Sequence, residues 1–193
     1  MALGCDVDMC TNCPELLTKI RYIDEKSGYH LLRLDKERDV SSWNGELSNE
    51  LSTYDAVVIS DYNKGFVTYD TYAYIQKHFD GAIFVDTKKA DLARLDKCVV
   101  KINSLEYSKL KTQCPQLIVT QGKHGATYED KTYPAPSVEV FDVCGAGDTF
   151  LAALTYKYLN TRSMSSAIDF ANKAASITVT HSGNYAPTLE EIE

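Results

Sequence analysis

The stretch AIFVDTKKADLARLDKCVVKINSLEYSKLKTQCPQLIVT, residues 82–120, decides the fold. It holds three short runs rich in Val, Ile and Leu: AIFVD (82–86), CVVKI (98–102) and QLIVT (116–120). Apolar, partly β-branched runs of this length between polar segments read as strands, and SLEYSKL (104–110) between the last two reads as a short helix. Upstream, AVVIS (56–60) reads as a buried strand ending in the polar loop DYNKG (61–65), and Tyr69, Tyr72, Ile75, Gln76 and Phe79 carry helical spacing. Further upstream, residues 17–24 and 29–35 predict a hairpin around the turn Glu25-Lys26-Ser27-Gly28. Glu37 to Asp39 form a solvated charge run, and Leu47 and Leu51 lie in a helical stretch opened by Ser41 or Ser42. Downstream, QGKHGATYEDKTY predicts a turn and a hairpin. GAGDTFLAALTYKYL and SSAIDFANKAASITVT predict two helices, the second rich in small residues and buried.

Repeated strand–loop–helix units of this kind imply an α/β fold. The expected form is a doubly wound, mostly parallel sheet with helices on both faces and a small β-hairpin near the N-terminus. Ligands of such sheets lie beyond the carboxyl ends of the strands. Polar residues gather at those ends here: Ser60, Asp61 and Lys64; Asp86 and Lys88; Asn103 and Glu106; Thr120 and Gly122.

Composition narrows the classes. With 193 residues the chain suits one domain, and 44% hydrophobic with 24% charged residues is ordinary globular usage that argues against disorder. A formal net charge of −7 argues against a nucleic-acid partner. No apolar run approaches the ~20 residues of a membrane-spanning helix, and MALGCDVDMCTNCPE has acids where a signal peptide needs a basic and then apolar run. The expectation is a soluble, cytoplasmic chain with no membrane partner. Cys10 and Cys13 form a C-x-x-C with Cys5 nearby, while Cys98, Cys114 and Cys144 are scattered and His30, His78, His124 and His181 stand far apart. A tetrahedral zinc site wants a second paired motif, so free thiols in a reducing compartment are expected.

The sharpest motif is Asp142-Val143-Cys144-Gly145-Ala146-Gly147-Asp148-Thr149-Phe150, followed by the apolar LAALTYKYL. Small residues where a loop turns into a helix let backbone N–H groups approach an anion, and the helix dipole favours negative charge there. This is a phosphate-type site, or a hole for charge developing on a transferring phosphoryl group. No Gly-Lys-Ser/Thr follows, so it is not a Walker loop. Asp148, directly after it, has two candidate jobs: to cap the helix, or to take the proton from a hydroxyl that attacks phosphorus.

DVCGAGDTFLAAL (142–154) resembles the C-terminal signature of the ribokinase-like (PfkB-type) carbohydrate kinases. The resemblance implies that Asp148 is the catalytic base and that Gly145, Ala146 and Gly147 form the anion hole. Asn103-Ser104-Leu105-Glu106 is similar to the family's N-x-x-E motif, implying that Asn103 and Glu106 help organise magnesium and phosphate. Thr120-Gln121-Gly122 with Gly125 resembles the nucleotide-contacting segment, and Asn172 within FANKAAS resembles the residue beside the adenine. TKIRYIDEKSGYHLLRLD (18–35), VVISDYNKG (57–65) and VDTKKADLARLDKCVVKINSLE (85–106) are similar in order and spacing to one subfamily. Its members phosphorylate D-glycero-β-D-manno-heptose 7-phosphate at the anomeric hydroxyl, on the way to ADP-heptose.

The resemblance runs from about Leu17 to the end and implies an ATP-dependent sugar kinase that uses Mg2+ and binds a nucleotide and a small sugar phosphate. The whole chain, 1–193, then reads as a single C-terminal-type kinase domain. It has an extension at 1–16, a lid-like hairpin at 17–36 and a nucleotide-binding α/β core at 37–193. Asp61, Lys64, Asp86 and Lys88 are candidate substrate contacts at strand ends. Lys19, Arg21 and Arg33 alternate along the hairpin, where they meet a sugar phosphate or form a solvated face.

Three departures stand out. The chain starts where the family's second half starts, with none of the glycine-rich sugar-binding motifs before Thr18. That predicts an unpaired sheet edge, covered in a homo-oligomer or by a chain carrying the first half, or else a nucleotide-binding remnant without turnover. Cys144 stands where Thr or Asn is usual, with a modest expected effect because the anion hole is backbone. Asp86-Thr87-Lys88 replaces Asp-Pro-Lys, keeping both charges.

Overall fold

The computed structural model describes residues 3–11, 18–24, 30–36, 40–45 and 50–193. Cys13, the Glu25–Gly28 turn, the Glu37–Asp39 charge run and Leu47 lie outside the described residues. In chain order the elements are β1 (Thr18–Ile23), β2 (His30–Lys36), β3 (Ala56–Asp61), α1 (Tyr69–His78), β4 (Ala82–Thr87), β5 (Cys98–Asn103) and α2 (Ser104–Tyr107). There follow β6 (Gln116–Thr120), β7 (Ala126–Tyr128), β8 (Lys131–Tyr133), α3 (Ala146–Thr161), α4 (Met164–Thr178) and α5 (Leu189–Ile192).

The apolar runs of β4, β5 and β6 become strands because both of their faces are covered. Strands β3 to β8 form one sheet in sequence order, parallel from β3 to β6 and antiparallel from β6 to β8. Alternate residues separate into two cores. Ile59, Ile83, Val85, Val100, Ile102 and Val119 pack with Tyr72 and Ile75 of α1. Phe84, Val99 and Ile118 pack with Phe150 and Leu154 of α3 and Ile168 and Ala171 of α4. Each such side chain, fully buried, contributes about 1.5–3 kcal/mol. Ala167, Ala171 and Ala174 are buried, which lets α4 lie close against α3. The expected α/β architecture with helices on both faces is therefore present. The face opposite α1 is covered by α3 and α4 rather than by alternating crossovers.

Two elements differ from their reading. AVVIS is not fully buried: among the described residues β3 is the sheet's edge, and Val58 is 49% exposed. An apolar run does not reveal whether a neighbour covers it. The helical stretch near Leu51 is a 3-10 turn, Leu51–Thr53. The hairpin is as expected, β1 antiparallel to β2 in a separate two-stranded sheet, with Tyr22, Leu32 and Leu34 exposed. Cys98 and Cys114 are buried free thiols, and burial pushes them up to about 12 and about 11. Among the described residues no helix is long and apolar enough to cross a membrane.

Candidate active site

Strand parity sorts the polar strand ends. Ser60 pairs in register with Asp86 and Asp61 with Thr87, so neighbouring residues at one strand end point to opposite faces. Asp86 shares the face of Phe84, towards α3, and its register partner on β5 is Lys101. The start of α3 sits over that face: Lys101 Nζ lies 2.5 Å from Asp86 Oδ2 and 3.4 Å from the Gly147 carbonyl oxygen.

The loop into α3 is braced by Asp142, whose carboxylate accepts from the Cys144 and Gly183 amides at 2.9 and 3.0 Å. Gly145 is the N-cap and holds φ +78°, a left-handed conformation that favours glycine. Thr68, Asn103, Ser163 and Thr188 cap the other four α-helices with their side chains. Glycine offers α3 none, which leaves first-turn amides for an anion at the positive end of a 16-residue helix. Cys144 turns its thiol to Asn184 Oδ1 at 3.0 Å.

Asp148 is exposed in that first turn. It lies beside Tyr62: burial first, then the Asp148 charge, raises the Tyr62 hydroxyl above its ordinary range. The Lys19 and Lys88 ammonium groups sit 4.7 and 4.9 Å from the Tyr62 ring centre. Burial likewise raises the Asp86 carboxyl against the pull of Lys101, and the charges of Glu106 and Asp148 push the same way. Asp148, Asp86, Glu106, Lys19 and Lys88 are thus gathered around α3's start.

Other candidates have different surroundings. Asp61 is 4% exposed on the α1 face, where it accepts from the Tyr72 and Thr87 hydroxyls at 2.9 Å each and pairs with Lys89 at 3.2 Å. Its carboxylate is thereby committed to the fold, and the expected substrate contact is corrected to a structural one. Arg33 pairs with Asp35 at 2.9 Å, with Arg21 opposite it across the hairpin, and Lys64 is exposed in the loop after β3. Asn103 and Glu106 form a capping box on α2, with Glu106 Oε2 accepting from the Asn103 amide at 2.8 Å.

Thr120 ends β6, and Gly122, at φ +57°, has open space where a Cβ would stand. Asn172 is buried and donates to the Tyr133 carbonyl at 2.9 Å, so its amide is taken up in joining α4 to β8 rather than turned to the strand-end opening. A Cβ on Gly125 would lie 2.0 Å from the same Tyr133 oxygen. Gly125→Ala is therefore expected to lower stability by about 1–3 kcal/mol through overpacking, read as a fall in the chemical-denaturation midpoint.

Lys101, Tyr62 and Asn184 were missed as site residues in the sequence. A signal for Lys101 exists: it is a lysine inside a run of strand-core residues, CVVKIN, at the parity of Val99. For a divalent cation, among the described residues no group of three His, Cys, Asp or Glu side chains stands ready to hold one. Magnesium is ordinarily held by one or two carboxylates together with phosphates and water. Glu106, whose Oε2 alone is engaged in the capping box, fits that role beside the start of α3.

Residues 95–191 match the family described as pfkB family carbohydrate kinase. The chain belongs to that family. The bifunctional protein HldE of a Nitratiruptor species is 32% identical over 86% of this pfkB-family chain and 43% of its own length. The bifunctional protein HldE of Helicobacter pylori is 29% identical over 94% of the chain and 46% of its own. The chain thus spans less than half the length of these relatives. Among solved structures, ribokinase from Thermotoga maritima superposes with a TM-score of 0.66 at 20% identity, covering 90% of this chain and 67% of that one. Arabidopsis thaliana ribokinase, complexed with ribose and ATP, gives 0.66 at 18% identity, covering 86% and 64%. These two likenesses establish the ribokinase-like fold.

Proposed function

We propose that the chain is an ATP-dependent sugar kinase acting on a heptose 7-phosphate. The observation that carries this reading is an exposed Asp148 in the first turn of a helix whose amides have no side-chain cap, with two ammonium groups gathered nearby. In the proposed reaction the Asp148 carboxylate takes the proton of the acceptor hydroxyl as that oxygen forms a bond to the γ-phosphorus. The bond from that phosphorus to the bridging oxygen breaks, and ADP leaves. Of the expected Gly145, Ala146 and Gly147 amides, that of Ala146 is bonded to the Val143 carbonyl at 3.4 Å, so in this reading the Gly147 amide, with that of Asp148 after it, steadies the charge on the transferring group. Lys19 and Lys88 supply positive charge for the phosphate already on the acceptor. Magnesium, held by Glu106 with the nucleotide phosphates, would neutralise charge developing on them. The heptose assignment is supported by the subfamily segments at 18–35, 57–65 and 85–106.

A second reading is favoured by the place of β3 at the edge of its sheet among the described residues and by the exposed Val58, Tyr22, Leu32 and Leu34. In it the chain binds nucleotide but works with a second copy or a complementing chain that covers these apolar residues. One experiment separates the two. ATP consumption by the purified chain with heptose 7-phosphate supports the kinase reading. Calorimetric ATP binding without turnover supports the second, and no binding at millimolar ATP overturns both.

A further inference from the structure

Lys101 is a buried cation in the middle of a six-strand sheet, 4% exposed, in a strand whose other members up to Ile102 are buried apolar residues. Its ammonium meets the carboxylate of its own register partner, Asp86, at 2.5 Å, and the carbonyl oxygen of Gly147 at 3.4 Å. A Cβ on Gly147 would stand 2.9 Å from Lys101 Nζ and 3.9 Å from Asp86 Oδ2. A side chain at 147 would therefore push the Lys101 ammonium out of its present place against Asp86 and α3, whatever ligand binds above it. Gly145 answers to a different demand, its φ of +78°.

We infer that the Lys101–Asp86 pair positions the site. It fixes the height of the first turn of α3 over the ends of β4 and β5, and thereby places the Gly147 and Asp148 amides and the Asp148 side chain. The inference rests on reading those amides as a phosphate site. Two facts support a positioning role over a merely stabilising one. The pair is largely withdrawn from water, at 5% side-chain exposure for Lys101 and 20% for Asp86, and such a pair is seldom better for stability than apolar residues of similar volume, which points to a role beyond stability. The pair also lies where the sheet's apolar layer, Phe84 and Val99, gives way to the strand ends and the helix has to be held without apolar packing. An ammonium bonded at once to a strand carboxylate and a helix carbonyl does that with direction as well as attraction.

The test uses Lys101→Met and the double variant Lys101→Met/Asp86→Asn, with three readouts: amide hydrogen exchange by mass spectrometry, the thermal midpoint, and calorimetric affinity for ADP with magnesium. Lys101→Met is expected to lower the midpoint by leaving the half-buried Asp86 without its cation. The double variant, which removes one charge of each sign, is expected to regain most of that midpoint. In both variants residues 145–149 should exchange at least about tenfold faster, the first turn of α1 should be unaltered, and ADP affinity should fall about tenfold, a change of roughly 1.4 kcal/mol. A purely structural pair would let affinity return with the midpoint in the double variant, and that result overturns the inference. So does unaltered exchange at 145–149 in Lys101→Met. A parent chain that binds no ADP defeats the phosphate-site reading instead, and the exchange data alone then decide whether the pair positions the helix.

Discussion

Asparagine at position 148 is expected to slow phosphoryl transfer by about 10²–10⁴-fold, the usual contribution of a positioned general base. Nucleotide affinity should be largely kept, because the anion hole is made of main-chain amides that the substitution does not touch. Asp148 is suited to this comparison by its surroundings. It is exposed and takes no part in either core. Asp148→Asn should therefore leave stability within about 0.5 kcal/mol, and a lost rate cannot be ascribed to a lost fold. A second readout tests the geometry without turnover. The Asp148 charge raises the Tyr62 hydroxyl, after burial the largest cause. Removing the anion makes the phenolate easier to form, so Tyr62 should titrate at lower pH in the variant, as followed by NMR of labelled tyrosine. A variant with the parent's rate of ATP consumption would place the base elsewhere. An unmoved Tyr62 titration would break the link between the two side chains.

Much of this site was legible in the sequence, and what was hidden has a common cause. The Gly145-Ala146-Gly147-Asp148 motif carries its own geometry, because a loop entering a helix on small residues leaves main-chain amides open to an anion. The parallel strands announced themselves as apolar runs, and their polar ends marked the rim where ligands bind. What those ends do was harder to read. Ser60 and Asp61 are adjacent, yet one lies on the α3 face and the other under α1, because side chains alternate along a strand. Counting two residues on from Ile59, which belongs to the α1 core, puts Asp61 on that same face. The same count puts Asp86 with Phe84 and Lys101 with Val99. Parity was thus available, but which parity faces the anion hole depends on where α3 lies, a tertiary fact. Asn172 was hidden for a related reason. A polar residue in a small-residue helix can face a ligand or a buried carbonyl, and here the carbonyl of Tyr133, 39 positions away, takes it.

The reassigned aspartate yields the clearest expectation about stability. Asp61→Ala is expected to lower stability by about 3–5 kcal/mol, the cost of breaking a buried ion pair by removing one partner. For a chain of this size that is a fall in the unfolding midpoint of about 6–20 °C. Four groups lose their acceptor together. The Tyr72 and Thr87 hydroxyls each donate to Asp61 Oδ2 at 2.9 Å, and the Asn63 amide donates to Oδ1 at 2.7 Å. Lys89 pairs with Oδ2 at 3.2 Å, at only 8% side-chain exposure. Without the carboxylate the Lys89 ammonium retains Asn63 Oδ1 at 3.0 Å and the face of Tyr69, neither of which carries a charge to answer it. Tyr72 sits at the centre of the α1 core with its hydroxyl aimed at Asp61, so the loss reaches the packing of α1 on β3 and β4. Replacing Lys89 with methionine in the Asp61→Ala background removes the stranded cation, and that double variant should recover a large part of the lost midpoint. Nucleotide affinity should survive in whatever fraction remains folded, because Asp61 and the anion hole lie on opposite faces of the sheet. An Asp61→Ala chain that keeps its midpoint but loses its ligand would return Asp61 to the site and undo the parity assignment on which the division between binding and structural carboxylates rests.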